Sequence, residues 1–416
     1  MKQTNRQAYA IDNASLLFLS LIRKNHANSF RFTMTLTEAV CPETLQLAVD
    51  RIYRRFPTII AGFRPGFFHY LQVPVKEPPQ VQPDPGVLHT MDKQEIHNCA
   101  FRVYYRENVV AIEAFHALTD GYGAIACFTT MIAEYLRLKH GIHIPVEKTL
   151  MNPMDAPTPD EVTDAYERHE TGRPLLVPSR YSYQLPGLAP SIHGVKLQSA
   201  KIQTSALLDA SHRYGVSMTS LLSGVMAKSI MEIQTENTLS KGKKPVRIMV
   251  PVDLRKMFPT RTLRNFVLYA LPTMEPQDMD MPVSELLKSF ARQIRKQAEC
   301  SRLASIMAYN VRTQRAWYFR AVPWFLKSLF LRIGYRFFGG SNSSVTVTNL
   351  GNVQLPEEMA AYVQNIDVAL TPRARSPYGC AVLSYNGIVN ITVTRFNPEP
   401  SLESRFFGNL YSVMQR

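Results

Sequence analysis

Apolar and polar positions along the chain follow two periods. Over Ser29–Leu36 they alternate, with Phe30, Phe32, Met34 and Leu36 on one side and Arg31, Thr33 and Thr35 on the other. That predicts a half-buried strand. Over Glu43–Arg55 the apolar residues Leu45, Val49 and Ile52 recur at helical spacing, and Pro57 ends the run. Phe101–Tyr105 and Val109–Phe115 flank Glu107-Asn108 as a hairpin would. Tyr122–Leu138 carries an amphipathic helical stripe of Ile125, Phe128, Ile132 and Tyr135. From Pro145 to about Pro190 prolines break every period, which predicts a long connection. The mixed pattern then resumes. Helices are predicted at Ser217–Ile233 and Pro282–Ala298, and strands at Val246–Val252 and Val345–Leu350. Ala381–Tyr385 and Ile388–Thr394 flank Asn386-Gly387, a strong two-residue hairpin signal. The class is therefore α/β or α+β in two lobes, residues 1–180 and 181–416.

Composition narrows the picture. The 416 residues are 45% hydrophobic and 19% charged, which excludes a largely disordered chain. Lys and Arg number 47 against 33 Asp and Glu, a formal charge of +14. Such a balance suits a polyanion, a phosphate-bearing cofactor or an anionic membrane surface. The basic residues are scattered and no nucleic-acid-binding signature accompanies them, so nucleic acid is not expected. The five cysteines are odd in number and form no C-x-x-C pair. This predicts reduced thiols, a cytoplasmic setting and no metal centre. The N-terminal stretch has no small-residue cleavage site and does not read as a signal peptide. The apolar stretch Arg315–Phe338 is interrupted by Arg320, Pro323, Lys327, Arg332 and Arg336, so it is not a transmembrane span. Its charges do not gather on one helical face. Its aromatics read as core or tunnel wall, with peripheral lipid contact left open.

The candidate chemistry lies in Val109–Gly123, VVAIEAFHALTDGYG. A strand delivers His116 at its end, and Asp120 and Gly121 turn the chain into a helix. Imidazole suits removal of a proton from a hydroxyl or amine near neutral pH. Asp120 is placed to hold a cation and fix the loop, and Gly121 to allow a backbone conformation that a side chain forbids. A plainer reading stands beside this one: Asp120 as an N-cap and His116 as a filled strand end. The loose dinucleotide fingerprint Gly121-x-Gly123-x-x-Ala126 lies five residues too far from the strand.

His116-Ala-Leu-Thr-Asp120-Gly121 resembles the H-x-x-x-D-G motif of the acyltransferase superfamily. That superfamily includes chloramphenicol acetyltransferase, peptide-synthetase condensation domains and alcohol O-acetyltransferases. Val250–Phe266, with its Pro-Val-Asp-Leu-Arg and Arg-Asn-Phe blocks, is similar to a stretch of the alcohol-acetyltransferase-like branch. So are Val347–Gly351 and the Leu45–Pro57 helix. Phe115 stands where many relatives have a second His, and the D-F-G-W-G motif is absent, the comparable region being Arg373–Gly379. The resemblance implies two chloramphenicol-acetyltransferase-like lobes, each an α+β two-layer sandwich, with a tunnel between them. It implies His116 as general base and direct attack of an alcohol or amine on an acyl-coenzyme A thioester, with no acyl-enzyme. A carrier-protein donor, or a catalytically silent binder of an acyl or peptidyl ligand, is the alternative. Asp120 is then structural, paired with Arg255 or, second, Arg264. Asn265 and Asn349 line the tunnel or donate to an oxyanion, unless they only satisfy backbone groups at turns. Lys241, Lys243 and Lys244 meet coenzyme A phosphates, unless they form a solvated turn.

Overall fold

The computed structural model describes residues 8–22, 28–86, 88, 90–147, 149–178, 180–187, 195–236, 244–335, 342–373, 376–397 and 399–415. Two sheets organise them. The first has five strands in the order Val363–Leu370, Ser29–Leu36, Val109–Phe115, Phe101–Arg106, Val81–Pro83. All neighbours are antiparallel except the last pair. Helices Pro42–Ile52 and Gly121–His140 pack against one another beside it. A small three-stranded sheet, Tyr9–Ala10, Tyr70–Pro74 and Ala61–Pro65, adjoins this lobe.

The second sheet runs Val267–Ala270, Val246–Asp253, Val345–Asn352, Tyr378–Tyr385, Ile388–Arg395, Lys196–Gln203, with Thr273–Met274 also pairing to Val246–Asp253. Helices Thr204–Tyr214, Met218–Glu236, Val283–Gln297 and Ser401–Gln415 join its apolar core. The Asn386-Gly387 hairpin forms as its sequence requires. Both residues have positive φ, 46° and 75°, and Tyr385 pairs with Ile388.

Three expectations change. Ser29–Leu36 is not half-buried. Arg31 lies on its polar side yet is only 8% exposed, because Glu113 at 3.2 Å and Asp84 neutralise it. Burial pushes the Glu113 carboxyl up, against the pull of Arg31 and Arg102. The division at residue 180 also does not hold along the chain, since Val363–Leu370 completes the first lobe's sheet. Alternation within this strand looks like that of any second-lobe strand, so periodicity alone does not place it. Third, the aromatic segment is not mainly core or tunnel wall. Trp317, Tyr318, Phe325 and Phe330 are exposed, and Phe319 lines a cavity. Phe337 lies outside the described residues.

Among its described residues the proline-rich connection contains two one-turn helices, Pro159–Val162 and Ala165–Arg168, and it is stitched down. Arg55 grips Glu161 through two hydrogen bonds, 2.7 and 2.9 Å. The Tyr166 hydroxyl donates to the Val267 carbonyl and accepts from the Val267 amide. Burial opposes ionisation of Glu161, but the Arg55 bonds win and hold its carboxyl below the usual 4.5. The pair therefore stabilises the fold above the unfolded-state value and loses that contribution as pH falls through the folded one. Glu161→Gln leaves Arg55 buried without its counter-charge and should cost about 3–5 kcal/mol at neutral pH. Thermal unfolding against pH checks this: the gap between variant and wild type should close in acid.

Candidate active site

Strand Val109–Phe115 is held between Ser29–Leu36 and Phe101–Arg106, so its end is rigid. His116 follows at once, its backbone N–H donating to the Asn28 carbonyl at 2.8 Å. Asn265 Nδ2, from the second lobe, donates to the His116 carbonyl at 3.0 Å. The imidazole stacks on Phe18 at 4.6 Å and 16° and meets the edge of Phe30 at 5.1 Å and 79°. Nδ1 is enclosed and has no partner on another described residue. The polar groups nearest the ring are the residue's own backbone and the Asn265 side chain. A proton on Nδ1 leaves the Nε2 lone pair free. Burial pushes the imidazole below its usual 6.5. Its own backbone, Asp120, Asn265 and Asp12 pull the other way.

Asp120 caps helix Gly121–His140 and ties the lobes together. Oδ1 accepts from Tyr122 N at 3.1 Å and Gly123 N at 3.3 Å. Oδ2 accepts from Arg255 Nη1 at 2.8 Å and from the Phe266 amide at 2.9 Å. Both roles read from the sequence, N-cap and ion-pair partner, are filled by one carboxylate. Arg255 is the partner. Its remaining donors reach Asp253 and the carbonyls of Thr262 and Arg264, and its guanidinium carbon lies 4.5 Å from the centre of the Tyr122 ring.

Arg264 does not pair with Asp120. It faces Asp12 at 3.5 Å and donates to the Ala10 carbonyl at 2.6 Å. Gly121 has no left-handed φ. Its lack of a side chain matters because a Cβ there would lie 2.5 Å from Leu350. At Gly123 a Cβ would meet the Leu263 carbonyl at 2.1 Å, so the fingerprint-like glycines serve lobe packing.

A cavity of about 770 Å³ opens beside His116 and is lined from both lobes. Asn265 and Asn349 are in its wall. Asn349 donates to Thr219 and accepts from the Gly351 amide, the turn role. The Asn349 amide keeps a second hydrogen beyond the bonds named, whereas Asn265 also meets the Asp12 carboxylate. Lys244 is exposed and is not in the cavity wall. Lys241 and Lys243 lie outside the described residues. The basic groups lining the cavity are instead Arg255, Lys256 and Arg373.

Sequence reasoning passed over three residues here. Asp12 is fully buried, caps helix Asn13–Ser20 through Ser15 and hydrogen-bonds the Asn265 side chain. Burial pushes its carboxyl up, opposed by Arg264. Asp12 before an apolar run with Ser15 three residues on is an N-cap signal that was available. Phe18 gives no sign in the sequence of reaching His116. Arg373 lines the cavity with Nε and Nη1 unpartnered among the described residues. It sits in an irregular segment without periodicity.

No protein-family model and no curated protein sequence matches the chain. Solved structures do. Polyketide synthase associated protein 5 from Mycobacterium tuberculosis aligns over 100% of both chains, with a TM-score of 0.62 and 13% identity. Trichothecene 15-O-acetyltransferase from Fusarium sporotrichioides aligns over 98% of this chain and 94% of its own, with 0.61 and 10%. The condensation domain of the monacolin K polyketide synthase aligns over 98% and 96%, with 0.58 and 10%. End-to-end coverage at such low identity defines a fold. It is the two-lobed fold of the chloramphenicol-acetyltransferase-like acyltransferases and condensation domains.

Asp120 and Arg255 are 3% and 7% exposed at their side chains, so neither charge tolerates loss of the other. Asp120→Ala and Arg255→Ala should each lower stability by about 3–5 kcal/mol. The double variant should lose clearly less than the sum. Thermal denaturation of the four proteins measures the coupling.

Proposed function

We propose that the protein transfers an acyl group from a thioester to a hydroxyl, or less readily an amine, with His116 as general base. One observation carries the reading: an imidazole held neutral by burial stands at the wall of a large cavity that both lobes line. The two-lobed fold shared with an O-acetyltransferase and condensation domains supports it.

The chemistry follows from the geometry. Nε2 accepts the proton of the acceptor hydroxyl as its oxygen bonds to the thioester carbonyl carbon. The carbonyl electrons move onto oxygen, and a hydrogen-bond donor in the wall stabilises that charge. Asn349, with an unused amide hydrogen, is the first candidate, and Asn265 qualifies only by releasing the Asp12 carboxylate. Collapse restores the carbonyl and breaks the carbon–sulfur bond, and the imidazolium returns its proton to the leaving thiolate. No acyl-enzyme forms. Asp120 touches none of the reacting atoms in this scheme and is a positioning residue. Acyl-coenzyme A is the proposed donor, with Lys256 and Arg373 as cationic groups in the cavity wall. A thioester borne by a carrier protein is the second donor to test, supported by the fold shared with a polyketide synthase associated protein.

The test is thiol release from acetyl- and longer acyl-coenzyme A with a panel of alcohols and amines. His116→Ala should lower acceptor-dependent release by ~10²–10⁴. Release that survives the substitution removes His116 as the base. Acceptor-dependent release only from carrier-borne thioesters assigns the donor to a carrier protein. Full ligand binding without turnover by the wild type assigns a silent binder.

The pH profile gives an independent check. An imidazolium cannot accept a proton, so kcat/KM should fall as pH falls. Because burial holds the imidazole below 6.5, the midpoint should lie on the acid side of that value, with a plateau through neutrality. His116→Ala should abolish this limb.

A further inference from the structure

The helix Trp324–Gly334 is turned the wrong way round for water. Phe325, Leu326, Leu329, Phe330 and Ile333 are 37–64% exposed. Their spacing, i, i+4, i+8 beside i+1, i+5, puts all five on one arc. Lys327 in the same helix is buried, donating to the Phe68 carbonyl at 3.0 Å with its ammonium 4.9 Å from the Phe319 ring. Arg332 donates to the carbonyls of Ser20 and Ile22 at 2.6 and 3.1 Å. The cations therefore pin the helix to the lobe while its apolar arc faces solvent.

The arc does not stand alone. The short helix before it exposes Trp317 at 80% and Tyr318 at 59%. The turn between Ala61–Pro65 and Tyr70–Pro74 adds Phe67 at 68% and Phe68 at 41%. This turn is joined to the helix by Trp324 N donating to the Phe67 carbonyl at 2.8 Å and by a Tyr70–Trp324 edge contact at 4.8 Å. A contiguous apolar face rimmed by Trp and Tyr is rare on a protein that meets only water.

Charge says what covers it. The two segments that build the face, Arg51–Lys76 and Cys300–Pro356, contain no Asp or Glu. Among the described residues Arg312 and Arg315 pair with Glu170 and Glu167, but Arg320, Lys327 and Arg332 have no acidic partner. Arg64 and Arg320 are exposed beside the aromatics. An aromatic face within a field of unneutralised cations fits an anionic lipid surface, where rings enter the interface and cations meet headgroups. The same elements carry Phe319 and Leu331 on their inner side, in the wall of the cavity beside His116.

We propose that this face docks the protein peripherally on anionic lipid bilayers. The proposal does not rest on acyl transfer, since His116→Ala should bind vesicles as wild type does. The protein supplies its own reporter, because one of its two tryptophans, Trp317, lies in the face, while the other, Trp324, is partly buried at the start of the helix. Vesicles of phosphatidylcholine mixed with phosphatidylglycerol should shift tryptophan emission to the blue and co-sediment the protein. Vesicles of phosphatidylcholine alone should do so much more weakly, and added salt should weaken the anionic case. Leu329→Glu with Phe330→Glu, both at exposed positions, should reduce partitioning about tenfold or more. Phe325→Ser is a milder second variant, and thermal unfolding verifies that both variants fold. No shift and no co-sedimentation with either vesicle overturns the proposal, as does binding that the double variant retains. A dimer in sedimentation velocity that the double variant dissolves overturns it in favour of a second copy. Binding to an acidic carrier protein but not to vesicles overturns it in favour of a protein partner.

Discussion

The buried pair of Asp120 and Arg255 is the constraint on which the rest of the site depends. Two charges taken out of water are tolerable only when nearly every donor and acceptor is satisfied. Here they are. Asp120 starts the helix Gly121–His140 with one oxygen and receives the Phe266 amide and an Arg255 donor with the other. Arg255 closes the account with two backbone carbonyls and Asp253. Starting that helix and joining the lobes are thus one event. The turn from His116 to Asp120 is anchored by a strand at its beginning and by this pair at its end.

That anchoring explains how an imidazole can stand in a largely apolar setting. Phe18 and Phe30 fix the ring plane, Asn265 fixes its backbone carbonyl, and Asp12 stands behind Asn265. Burial disfavours the imidazolium, and four weaker influences, including two carboxylates, favour it. The direction that wins leaves a neutral ring, the state a proton acceptor needs. Charge is held one step away from the ring rather than against it.

Local features were the most legible in the sequence. Strand Ser29–Leu36 has the bounds its alternation predicts, and Asn386-Gly387 adopts the positive φ values that its turn type demands. The short spacing from His116 to Asp120 carried the motif, and the Arg255 candidate came from a block that lies next to it in space. What escaped depended on encounters between distant segments. Nothing in Phe18 or Arg373 reports a cavity, and nothing in Val363–Leu370 reports which sheet it enters. The aromatic segment misled for a related reason. Apolar residues normally turn inward and cations outward, and the helix Trp324–Gly334 reverses this because backbone carbonyls at Ser20, Ile22 and Phe68 receive its cations.

The late entry of Val363–Leu370 bears on how the chain is made. Ser29–Leu36, laid down early, has one edge unpaired until those residues leave the ribosome. The other sheet waits as well, for Tyr378–Tyr385 and Ile388–Arg395 fill its middle. The first sheet is complete only once Leu370 has been made and the second only once Arg395 has, so the usual order of finished N-terminal unit first does not apply. The same crossing means that no single cut yields two intact halves. Recombination has no lobe here to exchange as a cassette, and the two halves must diverge together.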